Sequence, residues 1–179
     1  MDIPIDSAML EDLVRRGLAE DLGEKDLTTD ALVPEEAPGL AVITAKAEGV
    51  VAGGFVVAEV FRQVEADYLP LVEDGRRVEP GTVVGRVKGG LRALLTGERT
   101  ALNLLCRLSG IASLARRFVD AVEGTGAKIL DTRKTTPMYR ALEKYAVRTG
   151  GGVNHRMGLA DQVLVKENHF AAARGAGQA

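Results

Sequence analysis

The stretch Asp131-Thr132-Arg133-Lys134-Thr135-Thr136-Pro137 follows a short apolar run at residues 127–130. A β-prone run that ends at charged and hydroxyl residues and is closed by proline predicts a buried strand followed by a loop. Loops at the carboxyl ends of parallel strands carry the chemistry of α/β proteins. This loop offers a guanidinium, an ammonium and three hydroxyls, which suit carboxylate or phosphate oxygens. It predicts an anion-binding site, and the alternative is a solvated turn whose cations face water.

A second cationic loop is predicted one helix further along the chain. Residues 138–149 have the spacing of an amphipathic helix, with Met138, Leu142, Tyr145 and Ala146 on one side. Strand, loop and helix together form half of a βαβ unit. The sequence GGGVNHR at 150–156 follows, and its glycines let the backbone turn tightly or approach a ligand. The alternative is a flexible helix terminator followed by a loop histidine.

The pattern of an apolar strand that ends in cations occurs once more near the end of the chain. Residues 161–166 read as a short strand that ends at Lys166, and His169 follows three residues later. Two predicted strands therefore end in cations. Both histidines of the chain, His155 and His169, lie in polar segments next to these cations.

The charge of the chain is unevenly distributed. The net charge is -2, yet residues 131–169 hold seven Lys or Arg and only four Asp or Glu. A local basic pocket in an acidic protein suits a small polyanion better than a nucleic acid, which usually requires a broad basic face. Aromatic residues make up only 4% of the chain and are too few to stack bases. We therefore expect a small anionic ligand and no nucleic acid.

Composition places the chain among ordinary globular proteins. Its 179 residues, 46% hydrophobic and 27% charged, can bury a core in one or two domains. We expect no membrane association and a cytoplasmic location, because no secretory signal or apolar run of about 18 residues is present. The single cysteine, Cys106, lies in an apolar helical pattern and is predicted to be a core residue.

The pattern of the first hundred residues predicts an α+β domain. Asp6 or Ser7 is predicted to cap a helix that decays at Gly17 or Gly23, and residues 20–30 are interpreted as a solvated loop. Strands are predicted at 40–46, 48–54, 68–72 and 81–87, with a helix at 55–64. These elements predict an antiparallel sheet packed with helices.

The region from residue 92 to 123 is almost entirely helical in pattern. Ser109-Gly110 is interpreted as a break, and we place a domain boundary there, giving domains 1–108 and 109–179. Arg99 lies near the start of the helical region. An exposed ion pair with Glu98 or another neighbour is one interpretation of this residue.

Five segments in order carry a resemblance to a known family. They are ERTALNLL (98–105), LSGIA (108–112), DTRKTTP (131–137), GGVNHRMGL (151–159) and VKENH (165–169). In this order they resemble quinolinate phosphoribosyltransferase, also called nicotinate-nucleotide pyrophosphorylase (carboxylating). The resemblance implies conversion of quinolinate and phosphoribosyl pyrophosphate into nicotinate mononucleotide, carbon dioxide and pyrophosphate, with Mg²⁺ as cofactor, in NAD biosynthesis.

The same resemblance implies a fold, a set of site residues and an assembly. The fold is an N-terminal α/β sandwich followed by an α/β barrel, in a homodimer or higher oligomer whose active site is shared. Arg99 is expected to reach the partner's substrate. The implied catalytic residues are Lys134, Lys166 and His155, and the implied substrate-binding residues are Arg99, Thr132, Arg133, Lys134, Arg156 and Lys166.

The length of the chain conflicts with a complete barrel. Only 71 residues follow residue 108, whereas α/β barrels take roughly 200 residues or more. We expect an incomplete barrel and no turnover by these 179 residues alone, and the resemblance implies that the magnesium ligands lie outside this chain. The open alternatives are a related phosphoribosyltransferase that does not decarboxylate its substrate, and a non-catalytic anion-binding or dimerisation module.

Overall fold

The computed structural model describes residues 5–175, and its helices and strands follow a mixed α/β order. In chain order the elements are α1 (Ser7–Leu22), α2 (Leu27–Leu32), β1 (Pro38–Thr44), β2 (Gly49–Val50), α3 (Gly54–Gln63), β3 (Asp67–Pro70), β4 (Arg77–Val78), β5 (Val83–Gly90), α4 (Leu91–Ala121), α5 (Arg140–Thr149) and α6 (Glu167–Gly175). None of the helices in the described part of the chain is long and apolar enough to cross a membrane.

The N-terminal helices are set by two aspartate caps. The Asp6 carboxylate accepts hydrogen bonds from the first backbone N–H groups of α1, and Gly23 with φ 57° ends that helix as predicted. Residues 20–30 were predicted to form a solvated loop, which is wrong at both ends, since residues 20–22 lie in α1 and residues 27–30 lie in α2. Asp26 accepts a hydrogen bond from the Thr29 N–H at 3.0 Å and starts α2. The cap supplies an acceptor that the polar composition alone did not reveal as a helix signal.

An antiparallel sheet forms one layer of the N-terminal part. Its strand order is β1-β5-β3, and β2 pairs separately with β4. The register aligns Pro38 with Gly90 and Asp67 with Lys88. A Cβ at Gly85 would lie 2.4 Å from the Tyr68 ring, so glycine allows the aromatic side chain to cross β5 at this point. The predicted antiparallel sheet with helices is confirmed.

The hydrophobic core extends from the sheet layer into the cationic half of the chain. Helices α1, α3 and α4 contribute most of it, and Leu142 and Ala146 of α5 belong to the same cluster. A half-buried aspartate adds a polar contact between the halves. Asp74 accepts hydrogen bonds from the N–H groups of Gly53 and Gly54 at 2.7 and 3.0 Å, and from the Tyr145 hydroxyl at 2.6 Å. Helix α5 is thus fixed against the N-terminal part.

Helix α4 corrects two predictions. It runs without interruption through Ser109 and Gly110 for 31 residues, about 46 Å. The hydroxyls of Ser109 and Ser113 accept hydrogen bonds from the Ala52 and Val50 N–H groups at 3.0 and 2.8 Å. These contacts and the core packing outweigh the roughly 1 kcal/mol by which glycine disfavours a helix. The domain boundary at residue 108 stays a prediction, since the helix passes through it.

The second correction on α4 concerns Cys106, which is exposed instead of lying in the core. Leu104, Leu105 and Leu108 occupy the buried stripe of the helix around it. Cys106 therefore faces outward, towards the groove between α4 and β1. A cysteine flanked by leucines is compatible with either face, because the 3.6-residue period and not the local composition decides burial.

The predicted parallel strands are present only as a single bridge. Residues 127–130 and 161–166 were predicted to be strands, but the described residues show one isolated parallel bridge, between Leu130 and Val153. The Val153 N–H donates to the Ile129 carbonyl at 2.8 Å, and the Asp131 N–H donates to the Val153 carbonyl at 3.1 Å. Val163 is 93% exposed. A parallel strand forms a ladder only with neighbours beside it, so these segments form no ladder in the described residues.

Candidate functional site

The Asp131 carboxylate joins the two cationic loops predicted from the sequence. It lies directly after the bridge residue Leu130, and its side chain is 5% exposed. One oxygen accepts the His155 backbone N–H at 2.8 Å and also the Lys144 ammonium. The other oxygen accepts the Asn154 amide at 2.6 Å. The loop that follows residue 130 and the loop that follows residue 152 are therefore held together at one carboxylate.

Lys144 is the charged partner of Asp131, and its side chain is 1% exposed. It lies on α5, where residues 142–146 are buried in succession, so the helix is surrounded on more than one face. The sequence pattern placed Leu142, Tyr145 and Ala146 on the inner side, which is correct. It also placed Met138 there, which is wrong, since α5 begins at Arg140 and Met138 is exposed with φ 70°.

Glu143 holds the far end of the first loop. Its carboxylate accepts the Thr136 N–H at 3.1 Å and the Arg107 guanidinium, whose Nε lies 3.1 Å away. Arg107 also donates to the Thr136 hydroxyl. Burial raises the pKa of Glu143, but the hydrogen bonds from Arg107 and Thr136 outweigh it and hold the pKa below its ordinary value of 4.5. Glu143 is therefore held as a carboxylate.

Arg140 makes a further link between the two loops. Its Nε donates to the Thr135 hydroxyl at 3.1 Å, and one terminal nitrogen donates to the Met157 carbonyl at 3.2 Å. The guanidinium of this residue is therefore bound by protein oxygens on both sides. Arg140 therefore holds the two loops together, and most of its hydrogen-bonding capacity is directed to the protein and not to a ligand.

Arg133 is the residue of the first loop whose hydrogen bonding is incomplete. Its Nε is buried and has no hydrogen-bond acceptor among the residues that the structure describes. A buried N–H without an acceptor is costly, and such groups often mark ligand sites. The neighbouring Lys134 and Thr132 are exposed, and the Thr132 hydroxyl accepts the Lys134 N–H at 3.1 Å. Thr132 therefore shapes the turn that presents Lys134.

The second loop presents a histidine and an arginine with defined orientations. The His155 Nδ1 accepts the Arg156 N–H at 2.8 Å, so in the neutral ring Nε2 carries the proton. Arg156 is 8% exposed, and its guanidinium donates to the Gln162 carbonyl at 3.1 Å. One contact occupies part of this five-donor group and leaves donors available for an anion.

Two predicted site residues are not tied to these loops by described contacts. Lys166 is exposed at the residue before α6, and its N–H donates to the His169 Nδ1 at 2.9 Å. Arg99 is exposed on α4, about 12 Å along the helix axis from Arg107. The ion pair with Glu98 considered for Arg99 is not among the ion pairs of residues 5–175. The site roles of Arg99, Lys134, Lys166 and the others stay predictions.

The sequence did not single out the residues that hold the loops in place. They are Arg107, Asp131, Glu143, Lys144 and Asn154. Asp131 and Asn154 stood inside the quoted motifs, and an acidic residue directly after a strand is a signal that could have been used. Glu143 and Lys144 gave no such signal, because charged residues on an amphipathic helix normally face solvent.

Comparison with known proteins supplies the family. The model of the quinolinate phosphoribosyl transferase N-terminal domain matches residues 26–109, and that of the C-terminal domain matches residues 111–179. The chain belongs to the quinolinate phosphoribosyltransferase family. The predicted resemblance is therefore confirmed, and the mixed α/β fold with an incomplete barrel agrees with it.

Individual members of the quinolinate phosphoribosyltransferase family match almost the whole chain. The nicotinate-nucleotide pyrophosphorylase [carboxylating] of Mycobacterium leprae is 49% identical over 176 residues, covering 96% of this chain and 61% of the relative. A probable enzyme of the same name from Bacillus subtilis is 44% identical, covering 91% of this chain and 57% of the relative. The chain thus spans about 60% of the length of the curated relatives it matches.

Solved structures of the family agree with the fold. NadC from Streptococcus pyogenes is 39% identical with a TM-score of 0.91, and the match covers 99% of this chain and 62% of that one. The nicotinate-nucleotide pyrophosphorylase from Francisella tularensis is 36% identical with a TM-score of 0.89, covering 97% and 63%. The backbone described above therefore matches about three-fifths of each of these two chains.

Replacing Lys144 by methionine is expected to destabilise the chain strongly. The substitution leaves the Asp131 carboxylate buried without its cation, which typically costs about 3–5 kcal/mol in the free energy of unfolding. The double variant Asp131→Asn/Lys144→Met is neutral and should recover most of that loss. Urea unfolding followed by circular dichroism measures both, and Lys134→Met is the exposed control. A single variant as stable as the control would contradict the structural role of the pair.

Replacing Glu143 by glutamine is expected to have a pH-dependent effect. Because the folded-state pKa of Glu143 is lowered, its stabilisation is fully present above the unfolded pKa of about 4.5 and is lost as pH falls through the folded pKa. The variant should be less stable by about 1–2 kcal/mol at pH 7, and the difference should shrink below about pH 4.5. Unfolding at pH 7, 5 and 3 measures it. A difference that stays constant over this range would show that charge is not involved.

Proposed function

We propose that the chain binds quinolinate as part of an enzyme that transfers phosphoribose from phosphoribosyl pyrophosphate to quinolinate with decarboxylation. The products are nicotinate mononucleotide, carbon dioxide and pyrophosphate, and the reaction serves NAD biosynthesis in the cytoplasm. The observation that carries the proposal is the junction of the two cationic loops at Asp131, beside an Arg133 whose buried Nε has no acceptor in the described residues. The relatives named for this reaction support the choice of substrate.

The charges of the substrate suit the residues of the two loops. Quinolinate carries two adjacent carboxylates on a pyridine ring, and Arg133 and Arg156 are proposed to bind them with guanidinium groups, which hold carboxylates in fixed geometry. Lys134 and Lys166 are exposed point charges suited to phosphate oxygens. Thr132 and His155 lie on the two loops and are proposed to add hydrogen-bond donors. Together these groups neutralise a dianion and a polyphosphate.

The reaction itself requires orientation and electrostatics more than a nucleophilic side chain. Departure of pyrophosphate leaves positive charge on the ribosyl carbon, and the pyridine nitrogen attacks that carbon. The cations of the two loops stabilise the departing phosphate charge. The bond to carbon dioxide at the ring carbon next to nitrogen then breaks. The electron pair that remains is stabilised by the cationic nitrogen beside it and takes up a proton from water, which gives nicotinate mononucleotide. Cations that hold both reactants in line reduce the entropic barrier.

Magnesium is proposed to accompany the pyrophosphate co-substrate. Within residues 5–175 no group of three or more His, Cys, Asp or Glu is placed to hold a metal. The carboxylate of Asp131 is bound by Lys144, Asn154 and His155. The described residues thus do not fit a dedicated metal site. Full turnover by a family-length enzyme in excess chelator would contradict the magnesium requirement.

A homodimer is proposed to complete the site, with Arg99 donated to the partner's substrate. The support is the exposure of Arg99 on α4 and its separation from the loops of its own chain. In a family-length enzyme, mixing Arg99→Ala with Arg133→Ala chains should restore part of the activity, because one of the two shared sites is then intact. Verified heterodimers without activity would rule out sharing.

The second candidate function is phosphoribosyl transfer to a ring acid with one carboxylate. In that case one of Arg133 and Arg156 would bind the carboxylate and the other would bind a phosphate. If the exposed Lys134 and Lys166 bind the phosphates of the co-substrate, both arginines remain for two carboxylates. If the lysines do not, one arginine is needed for phosphate and a monocarboxylate fits better. A related phosphoribosyltransferase without decarboxylation would then bind nicotinate as tightly as quinolinate. A non-catalytic anion-binding or dimerisation module would bind either ligand without dependence on Arg133.

Calorimetric titration of quinolinate and nicotinate tests the main proposal. We expect quinolinate to bind more tightly, and Arg133→Ala to weaken it about 10-fold or more, since a charge-assisted contact contributes about 1.5–3 kcal/mol. Arg117→Ala is the matched control, because this arginine is exposed on α4. Equal affinities for the two acids would favour the non-decarboxylating enzyme. An unchanged quinolinate affinity in Arg133→Ala would leave only the non-catalytic module.

A further inference from the structure

Three consecutive residues of α5 each bind a different part of the molecule. Glu143 binds Thr136 at the end of the first cationic loop, Lys144 binds Asp131 at its start, and Tyr145 binds Asp74 of the N-terminal part. We call Glu143, Lys144 and Tyr145 the α5 triplet. All three side chains are buried. One turn of helix therefore fixes both ends of the loop that carries Arg133 and Lys134, relative to the core.

We propose that Lys144 is a positioning residue of the anion site, which sets the spacing between Arg133 and the His155-Arg156 pair. The inference rests on the proposed binding of quinolinate by these residues. The Lys144 ammonium is 1% exposed and is bonded to Asp131, so it does not reach a ligand in the loops. Its influence passes through the Asp131 carboxylate, which holds the backbone of His155 and the side chain of Asn154.

The need for such a residue follows from the ligand's geometry. The two carboxylates of quinolinate are attached to adjacent ring carbons and cannot adjust their separation. Guanidinium groups from two different loops bind both only if the loops are held at a matching distance, and small errors in placement weaken such sites considerably. A ligand with one carboxylate imposes no such distance. Loss of Lys144 should thus weaken the binding of quinolinate, which has two carboxylates, more than the binding of nicotinate, which has one.

The ion pair is suited to fixing a distance. A buried charge pair tolerates few geometries, because each lost contact leaves a charge without compensation in a medium of low dielectric constant. The Asp131 oxygens have an ammonium, an amide and a backbone N–H as donors. Asn154 also donates to the Lys144 carbonyl at 2.8 Å, which ties the second loop to α5 directly.

The experiment compares quinolinate and nicotinate binding to the whole 179-residue chain and its variants. Because Lys144→Met alone can unfold the chain, the decisive variant is Asp131→Asn/Lys144→Met, which removes the charges and keeps the shapes. We expect quinolinate affinity to fall at least about 10-fold and nicotinate affinity to change less than about threefold. Lys128→Met, an exposed lysine outside the loops, should change neither affinity.

Two outcomes of the titration would overturn the positioning role. If the folded double variant binds quinolinate as the parent chain does, the spacing does not depend on the pair. If it loses affinity for both acids equally, the pair supports only the fold. Thermal unfolding of the double variant, measured beside Lys128→Met, establishes that it is folded at the temperature of the titration.

Hydrogen exchange separates this inference from the proposed function. In the double variant the His155 amide should exchange at least about 10-fold faster, while the Thr136 amide, held by Glu143, keeps its protection. Unchanged protection of His155 would overturn the positioning role. If the parent chain binds no quinolinate, the proposed function fails. Faster exchange at His155 would then still show that Lys144 fixes the second loop.

Discussion

The contact between the Lys144 ammonium and the Asp131 carboxylate is the interaction on which the arrangement of the cationic loops depends. Removing two charges from water is unfavourable, and their attraction compensates only if further donors complete the site. Asn154 and the His155 backbone complete it here. The sole parallel bridge within residues 5–175, between Leu130 and Val153, is too short to keep the two loops aligned by itself. The ion pair therefore holds the two loops in alignment, a role that a longer ladder between parallel strands would otherwise have.

The same contacts change the meaning of the basic excess seen in the sequence. Lys144 and Arg107 are neutralised by Asp131 and Glu143, and Arg140 is bound by protein oxygens. Fewer cations therefore have N–H donors available for a ligand than the number of basic residues in this region indicates. Arg133 and Arg156 are the more deeply placed of these, and Lys134 is at the surface. Lys144 is buried in the scaffold, Arg107 is exposed at its surface, and the cations proposed to bind the ligand lie on the loops.

Sequence patterns predicted the order of the elements better than their partners. Asp6 as a cap, Gly23 as a terminator and the antiparallel sheet follow from local chemistry, so they could be foreseen. The inward orientation of Lys144 could not, since its partner is 13 residues away and across a loop. Cys106 was misplaced for a related reason: its neighbours on the helix fill the core-facing stripe. The strand at 161–166 has the right composition but no neighbouring strand to pair with in the described residues.

The uninterrupted length of helix α4 makes the junction between the two family domains rigid. It runs unbroken across the boundary between the regions that match the two family domains, and its uninterrupted hydrogen bonds offer no hinge at that boundary. The serine contacts near its middle and the Asp74 bridge to Tyr145 stiffen the same junction. Helix α4 and these contacts thus resist relative motion of the two family domains at their junction.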